Sequence, residues 1–274
     1  MHMLIETWQH IPYYINPIAF DFLGLSVRWY SLMYLLAILT VTGLLYYRAK
    51  KENKKDYADH IYDFFNYSVV GIIVGARLGY VLFYGLDYFV VHPLEIFWPF
   101  DSGQFVGISG LSFHGGAIGF IFGLYLVSKK HNLNFYKLLN YIIRFIPLGY
   151  TFGRLGNFLN LELFGRQTKS FIGMYFPTDT SHLLRYPSQL FEALGEGLLL
   201  YLILFYCHKI LKKDDILAPI YIICYASIRF YLEFLREPDP FQNLLFGVFS
   251  YGQILSIVML GVGVVLIPIF RKNA

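Results

Sequence analysis

LMYLLAILTVTGLLYYRAKKENKKD, residues Leu32 to Asp56, is an apolar run that ends in five cations within nine residues. A helix of about 20 apolar residues crosses the hydrocarbon layer of a bilayer, and a basic cluster beside it marks the end that stays in the cytoplasm. The pattern recurs along the chain. Apolar segments near 27–47, 62–84, 113–128, 135–152, 188–207, 216–235 and 251–270 predict an all-α, polytopic integral membrane protein with about seven transmembrane helices. The breaks at 48–56, 128–132 and 208–215, with the final RKNA, carry 12 of the 22 Lys and Arg residues, and Lys137 raises that to 13. The alternate loops, 1–26, 85–112, 153–187 and 236–250, hold only Arg154, Arg166, Lys169, Arg185 and Arg236. This asymmetry predicts an extracytoplasmic N-terminus, a cytoplasmic C-terminus and irregular polar loops on the extracytoplasmic side.

Composition agrees. Hydrophobic residues make up 57% of the 274-residue chain, mean hydropathy is +0.51 and only 15% of residues are charged, against roughly 25% in soluble domains. The net charge of +4 reflects loop topology rather than a nucleic-acid partner. Cys207 and Cys224 lie inside apolar runs, which argues against a disulfide framework or a metal site. The N-terminal stretch MHMLIETWQHIPYYINPIAF lacks the basic start and small-residue cleavage site of a removable signal peptide. No repeat of 20–50 residues stands out, so residues 1–274 read as a single membrane domain.

Charges inside apolar runs are costly and usually face a partner or a cavity. Arg28 and Arg144 read most simply as snorkelling, Arg28 to the outer interface and Arg144 to an interface or neighbouring loop. Arg77 and Arg229 lie deeper, Arg77 as a weaker functional candidate for which a carboxylate is one partner to consider. In YASIRFYLEFLRE (225–237), Tyr225, Arg229, Glu233 and Arg236 share one helical face. That face has two arginines and one carboxylate, an imbalance that an anionic ligand would complete. GRLGNFLNLELFGR (153–166) gathers Arg154, Asn157, Asn160, Glu162 and Arg166 between glycines, beside the membrane. Such polar density suits a pocket for a phosphate. In LSFHGGAIG (111–119), His114 is the one histidine at the outer end of an apolar run and a candidate base. Gly115, Gly119 and Gly123 carry the spacing of close helix packing. GISG (107–110) matches the Gly-x-Ser-Gly of intramembrane serine proteases, but no later run offers Ser109 a histidine at its outer half.

Together these segments resemble the prolipoprotein diacylglyceryl transferase family. GRLGNFLNLELFG agrees with that family's signature at every fixed position, and RWYSLMY (28–34), GARLGYVLFY (75–84), LSFHGGAIG, YPSQLFE (186–192), RFYLEFLREPD (229–239) and YGQILSI (251–257) extend the resemblance over most of the chain. Two departures are visible. Leu161 stands where many members carry glycine, and Tyr186 where members usually carry histidine or arginine.

The resemblance implies transfer of the diacylglyceryl group of phosphatidylglycerol to the lipobox cysteine thiol in prolipoprotein signal peptides. Glycerol 1-phosphate is released, no cofactor or metal is required, and the expected location is the bacterial cytoplasmic (inner) membrane. It assigns catalytic roles to His114, Arg154, Arg229 and Glu162, with His114 as the candidate base and Glu162 or Glu233 as the competing bases. Phosphatidylglycerol binding falls to Arg154, Asn157, Tyr30, Gly165, Tyr225, Glu233 and Arg236. The rival readings are a transporter for a small anion that uses the same arginines, and the serine protease.

Overall fold

The apolar runs do form helices, in a computed structural model that describes residues 2–22, 25–101, 104–105, 107, 110–211, 215–237 and 249–274. In order these are α1 (His2–Gln9), α2 (Trp29–Lys51), α3 (Lys55–Asp59), α4 (Ile61–Tyr84), α5 (Leu86–Val91), α6 (Phe113–Lys130), α7 (Phe135–Ile143) and α8 (Ile146–Leu159). Helix α9 (Ser188–Glu192) runs through a π-helical stretch (Ala193–Leu199) into α10 (Leu200–Leu211), and α11 (Leu217–Leu232) and α12 (Tyr251–Asn273) follow. Ser109 of the GISG match lies outside the described residues.

Four of the described helical segments are long and apolar enough to cross a membrane: Trp29–Lys51, Ile61–Tyr84, Ser188–Ile210 and Tyr251–Asn273. Their outward faces are apolar, as with Leu39, Val70, Leu82, Leu194, Val258 and Val262, while Glu192 and Glu196 are buried. Apolar side chains outside and carboxylates inside invert the soluble pattern and suit a lipid surround.

Three boundaries depart from the sequence reading. The run 135–152 is not one helix: α7 ends at Ile143 and α8 begins at Ile146. Arg144 occupies the break, buried rather than snorkelled, with its guanidinium 4.2 Å from the Tyr141 ring centroid and Nη1 3.0 Å from His208 Nε2. The expected loop from Gly153 is still helical to Leu159, so the first half of GRLGNFLNLELFGR is a helix end. The loops read as irregular contain antiparallel hairpins, β1 (Ile18–Phe22) with β2 (Leu25–Arg28), β3 (Phe100–Asp101) with β4 (Gln104–Phe105) and β5 (Met174–Tyr175) with β6 (Leu184–Arg185).

The chain divides into two compact units. In the unit Leu45–Leu139, α4 lies against α6 along two glycine rows, Gly71, Gly75 and Gly79 facing Gly115, Gly119 and Gly123. A methyl group on Gly119 would sit 1.9 Å from the Gly71 carbonyl oxygen, so only glycine allows this approach. Arg77 on α4 is buried and donates to the carbonyls of Ile96, of Glu95 at 3.1 Å and of Gly110 at 3.3 Å, with its guanidinium 4.8 Å from the Phe89 ring centroid. Backbone carbonyls are thus among the groups that hold it. At the opposite end of these helices, Asp63 accepts from Lys130 Nζ at 2.8 Å and pairs with His131 Nε2 at 2.6 Å.

The other unit, Met1–Leu44 with Asn140–Ala274, places α8, the π-helical stretch and α11 side by side. Gly197 faces Thr151 of α8 so closely that a methyl group there would fall 2.1 Å from Thr151 Oγ1. Helix α12 packs on α11, where Gly263 faces Ile223. Its start is closed by a capping box, Ser250 with Gln253.

Candidate phosphate site

In the unit Met1–Leu44 with Asn140–Ala274, three helices turn their polar positions toward one another. On α8, Tyr150, Arg154 and Asn157 recur at spacings of four and three and so share a face. Glu192 ends α9, and Glu196 follows in the π-helical stretch, the kind of local widening often found at functional sites. Tyr225 and Arg229 lie on α11, Glu233 caps it, and Arg236 follows in the turn beyond.

The side chains form one connected network. Arg154 Nε lies 2.8 Å from Glu192 Oε2, donates to Tyr150 Oη at 2.7 Å, and its Nη1 reaches Asn157 Oδ1 at 3.4 Å. Arg229 pairs through Nη2 with Glu233 Oε2 at 2.7 Å and through Nη1 with Glu196 Oε1 at 3.5 Å and Glu192 Oε2 at 3.6 Å. Arg236 Nη1 approaches Glu192 Oε1 at 4.0 Å. Tyr150 Oη donates to Glu196, and its ring meets that of Tyr225 edge-on at 6.2 Å. Asn157 Nδ2 donates to Glu162 Oε1 at 2.9 Å, linking the loop after α8 to the cluster. Ser250 Oγ donates to Glu233 Oε1 at 3.1 Å.

Seven of the residues expected at the site therefore come together: Arg154, Asn157, Glu162, Tyr225, Arg229, Glu233 and Arg236. Tyr30 packs beside them, its ring 3.3 Å from where a side chain on Gly156 would begin. Gly165 is placed by backbone contact, since a methyl group on it would fall 2.2 Å from the Leu235 carbonyl oxygen. Its N–H donates to Tyr186 O at 2.8 Å, and Arg166 N–H donates to Leu235 O at 2.9 Å. These bonds tie the loop after α8 to the end of α11 that carries Arg236. His114 belongs to the unit Leu45–Leu139, exposed in the first turn of α6 behind the N-cap Ser112.

Sequence reading missed Tyr150, Glu192 and Glu196. The signal was present: two carboxylates four residues apart inside the apolar run SQLFEALGEGLLLYLILF are as costly in lipid as the arginines that were weighed. Their presence overturns the charge imbalance inferred along α11. Three guanidiniums, on Arg154, Arg229 and Arg236, meet three carboxylates, on Glu192, Glu196 and Glu233. Two arginines reach the same oxygen, Glu192 Oε2, at 2.8 and 3.6 Å.

The segment after Asn160 turns through a left-handed residue. Leu161 has a φ of 58°, the left-handed region that glycine enters without penalty. Leucine adopts it at a cost of about 1–2 kcal/mol, which is offset here because its side chain is buried among Phe158, Met174 and Phe176. Farther along, Asp179 accepts from Arg185 Nε at 2.7 Å and Ser181 Oγ at 2.7 Å, and Arg185 also reaches Glu237 at 3.2 Å. Burial pushes the Asp179 carboxyl up, but these hydrogen bonds outweigh it and hold it at about 2.

With this geometry in view, the sequence comparisons decide the family. A sequence model described as prolipoprotein diacylglyceryl transferase matches residues 17–269. The chain belongs to the prolipoprotein diacylglyceryl transferase family. It is 42% identical to the phosphatidylglycerol–prolipoprotein diacylglyceryl transferase of Chlorobaculum tepidum, over 97% of this chain and 94% of the relative. The enzyme of the same name from Campylobacter curvus is 42% identical over 98% of this chain and 99% of its own length. That of Wolinella succinogenes is 41% identical over 92% of each. The matched relatives are named as transferases, and neither the anion transporter nor the serine protease finds support.

Proposed function

We propose that this chain transfers the diacylglyceryl group of phosphatidylglycerol to the lipobox cysteine thiol of prolipoproteins, with Arg154 and Arg229 holding the lipid phosphate. One observation carries the residue assignment: both guanidiniums converge on a single carboxylate oxygen, Glu192 Oε2, and so can converge on a phosphate oxygen. The thiol loses its proton, because the thiolate is the attacking species. Its sulfur bonds to the glycerol carbon of the diacylglyceryl group as the bond from that carbon to the phosphate oxygen breaks. Glycerol 1-phosphate departs with the extra negative charge, at the place where fixed guanidinium donors lower the barrier most.

His114, Glu162 and Glu233 are the three candidate acceptors of the thiol proton. Glu233 is engaged by Arg229 at 2.7 Å and by Ser250 Oγ at 3.1 Å. Asn157, Tyr30 and Tyr225 orient the headgroup, Glu162 steadies Asn157, Arg236 adds a third cation, and Gly165 sets the backbone that carries it.

The same proposal includes about seven crossings of the bacterial inner membrane, with the N-terminus outside and the C-terminus in the cytoplasm. The basic runs at 48–56, 128–132 and 208–215 support it. A cysteine placed at Asn53 should be labelled only from the cytoplasmic side and one at Lys169 only from the outside; the reverse result overturns this topology. For the activity, purified protein in detergent is given phosphatidylglycerol and a lipobox peptide, and glycerol 1-phosphate is measured. Folded protein that releases none beside a working positive control refutes the transferase reading.

A further inference from the structure

Tyr150 and Glu196 lie between the two arginines and have no part in the chemistry above. Tyr150 Oη accepts from Arg154 Nε at 2.7 Å and donates to the Glu196 carboxylate, whose other oxygen faces Arg229 Nη1 at 3.5 Å. The Tyr150 ring also lies 4.9 Å beneath the Arg154 guanidinium. One hydroxyl and one carboxylate therefore run as a bridge from the first guanidinium to the second. The backbone sets the length of that bridge. Gly197, next to Glu196, abuts Thr151, next to Tyr150, with no room for a side chain between them. The Glu196 side chain has 0% exposure, so it is shut away from a substrate that must approach through solvent or lipid.

We infer that Tyr150 and Glu196 are a positioning pair that sets the orientation of Arg154 relative to Arg229, so that both forks meet one phosphate in the transition state. This rests on the phosphate-binding reading above. Two guanidiniums side by side repel, and each has several rotamers. A neutral hydroxyl that accepts from one and passes its own proton toward the carboxylate facing the other fixes both orientations with a single added negative charge. Glu196 then has two effects of opposite sign. It holds Arg229 in the productive orientation, and it cancels part of the positive charge that attracts the phosphate.

The opposition gives the test a signature that loss of fold does not share. In Glu196→Gln, kcat should fall about 10- to 100-fold, the loss that small misplacement of catalytic groups produces. Glycerol 1-phosphate, titrated alone, should bind about tenfold more tightly, because a carboxylate near the arginines has gone. In Tyr150→Phe no charge changes. There kcat should fall about tenfold while glycerol 1-phosphate affinity stays within about twofold of the unmutated protein. The double variant should lose little more than the worse single one, because the two residues act through one hydrogen bond. Unchanged kcat in both single variants overturns the inference, as does weaker glycerol 1-phosphate binding in Glu196→Gln. Additive losses in the double variant overturn the pairing. If Glu196→Gln does not fold, Tyr150→Phe alone decides, since unaltered kcat there is sufficient refutation. The binding arm needs no turnover: if the unmutated protein releases no glycerol 1-phosphate but binds it, the transferase reading fails while the charge effect of Glu196 is still measured.

Discussion

Arg77 and Arg229 are both arginines inside apolar helices, and the chain treats them in opposite ways. Arg77 gives its donors to the carbonyls of Glu95, Ile96 and Gly110 and lies over the ring of Phe89. Arg229 gives its donors to the carboxylates of Glu192, Glu196 and Glu233. A carbonyl belongs to the backbone it fastens, so Arg77 clamps the backbone at Glu95, Ile96 and Gly110 to α4. A carboxylate on a side chain is an anion among cations, and a phosphate presents the same charge and the same paired oxygens. Burial of an arginine is therefore not itself a sign of function. Its partners make the distinction.

The helix packing around the two arginines differs as well, and the largest expected effect lies there. Gly119→Leu forces a side chain into the Gly71 carbonyl and should cost more than about 3 kcal/mol. The expected outcome is aggregated protein on size-exclusion chromatography in detergent, and a monodisperse variant of unchanged melting temperature breaks the close-packing account. Next is Arg229→Lys, which keeps the charge and loses the planar fork. It should lower kcat/KM about 100-fold with little change in melting temperature; activity near the unmutated level removes Arg229 from the leaving-group role.

Arg77→Met sharpens the contrast from the other side. Removing the clamp should cost about 2 kcal/mol of stability, read by thermal unfolding, while kcat of the folded fraction stays within about twofold. A large fall in kcat without loss of stability would place Arg77 with Arg229.

The smallest effect is at Asp179, outside the apolar helices, where burial opposes and Arg185 and Ser181 favour the charged form that holds the carboxyl at about 2. Its ordinary value is about 3.9, so its contribution is full above about pH 4 and is lost as pH falls from there through about 2. Hydrogen exchange of residues 174–185 should accelerate over that window, and Asp179→Asn should abolish the pH dependence. Acceleration that persists in the variant assigns the acid sensitivity to another group.

Much of this was legible in one dimension. Length and hydrophobicity marked Trp29–Lys51, Ile61–Tyr84, Ser188–Ile210 and Tyr251–Asn273, because a helix that crosses a bilayer needs about 20 predominantly apolar residues. The periodicity from Tyr225 to Arg236 placed four polar groups on one face, and spacing picked out Gly115, Gly119 and Gly123. The break at Arg144 was hidden, because two short apolar helices and one long one have the same composition. Glu192 and Glu196 were hidden for another reason: carboxylates on a neighbouring helix do not enter the charge count of the helix that carries Arg229.

The sequence by itself determined that this chain is a helical membrane protein, through hydrophobicity that each residue carries wherever it lies, and it carried the motifs of its family. Only the tertiary structure decided how the charges are paired. Residues 154, 192 and 229 are far apart along the chain, and ion pairing depends on distances of a few ångströms in space. What read as a site short of one anion is a balanced set of three arginines and three carboxylates, with Tyr150 and Glu196 between the two guanidiniums.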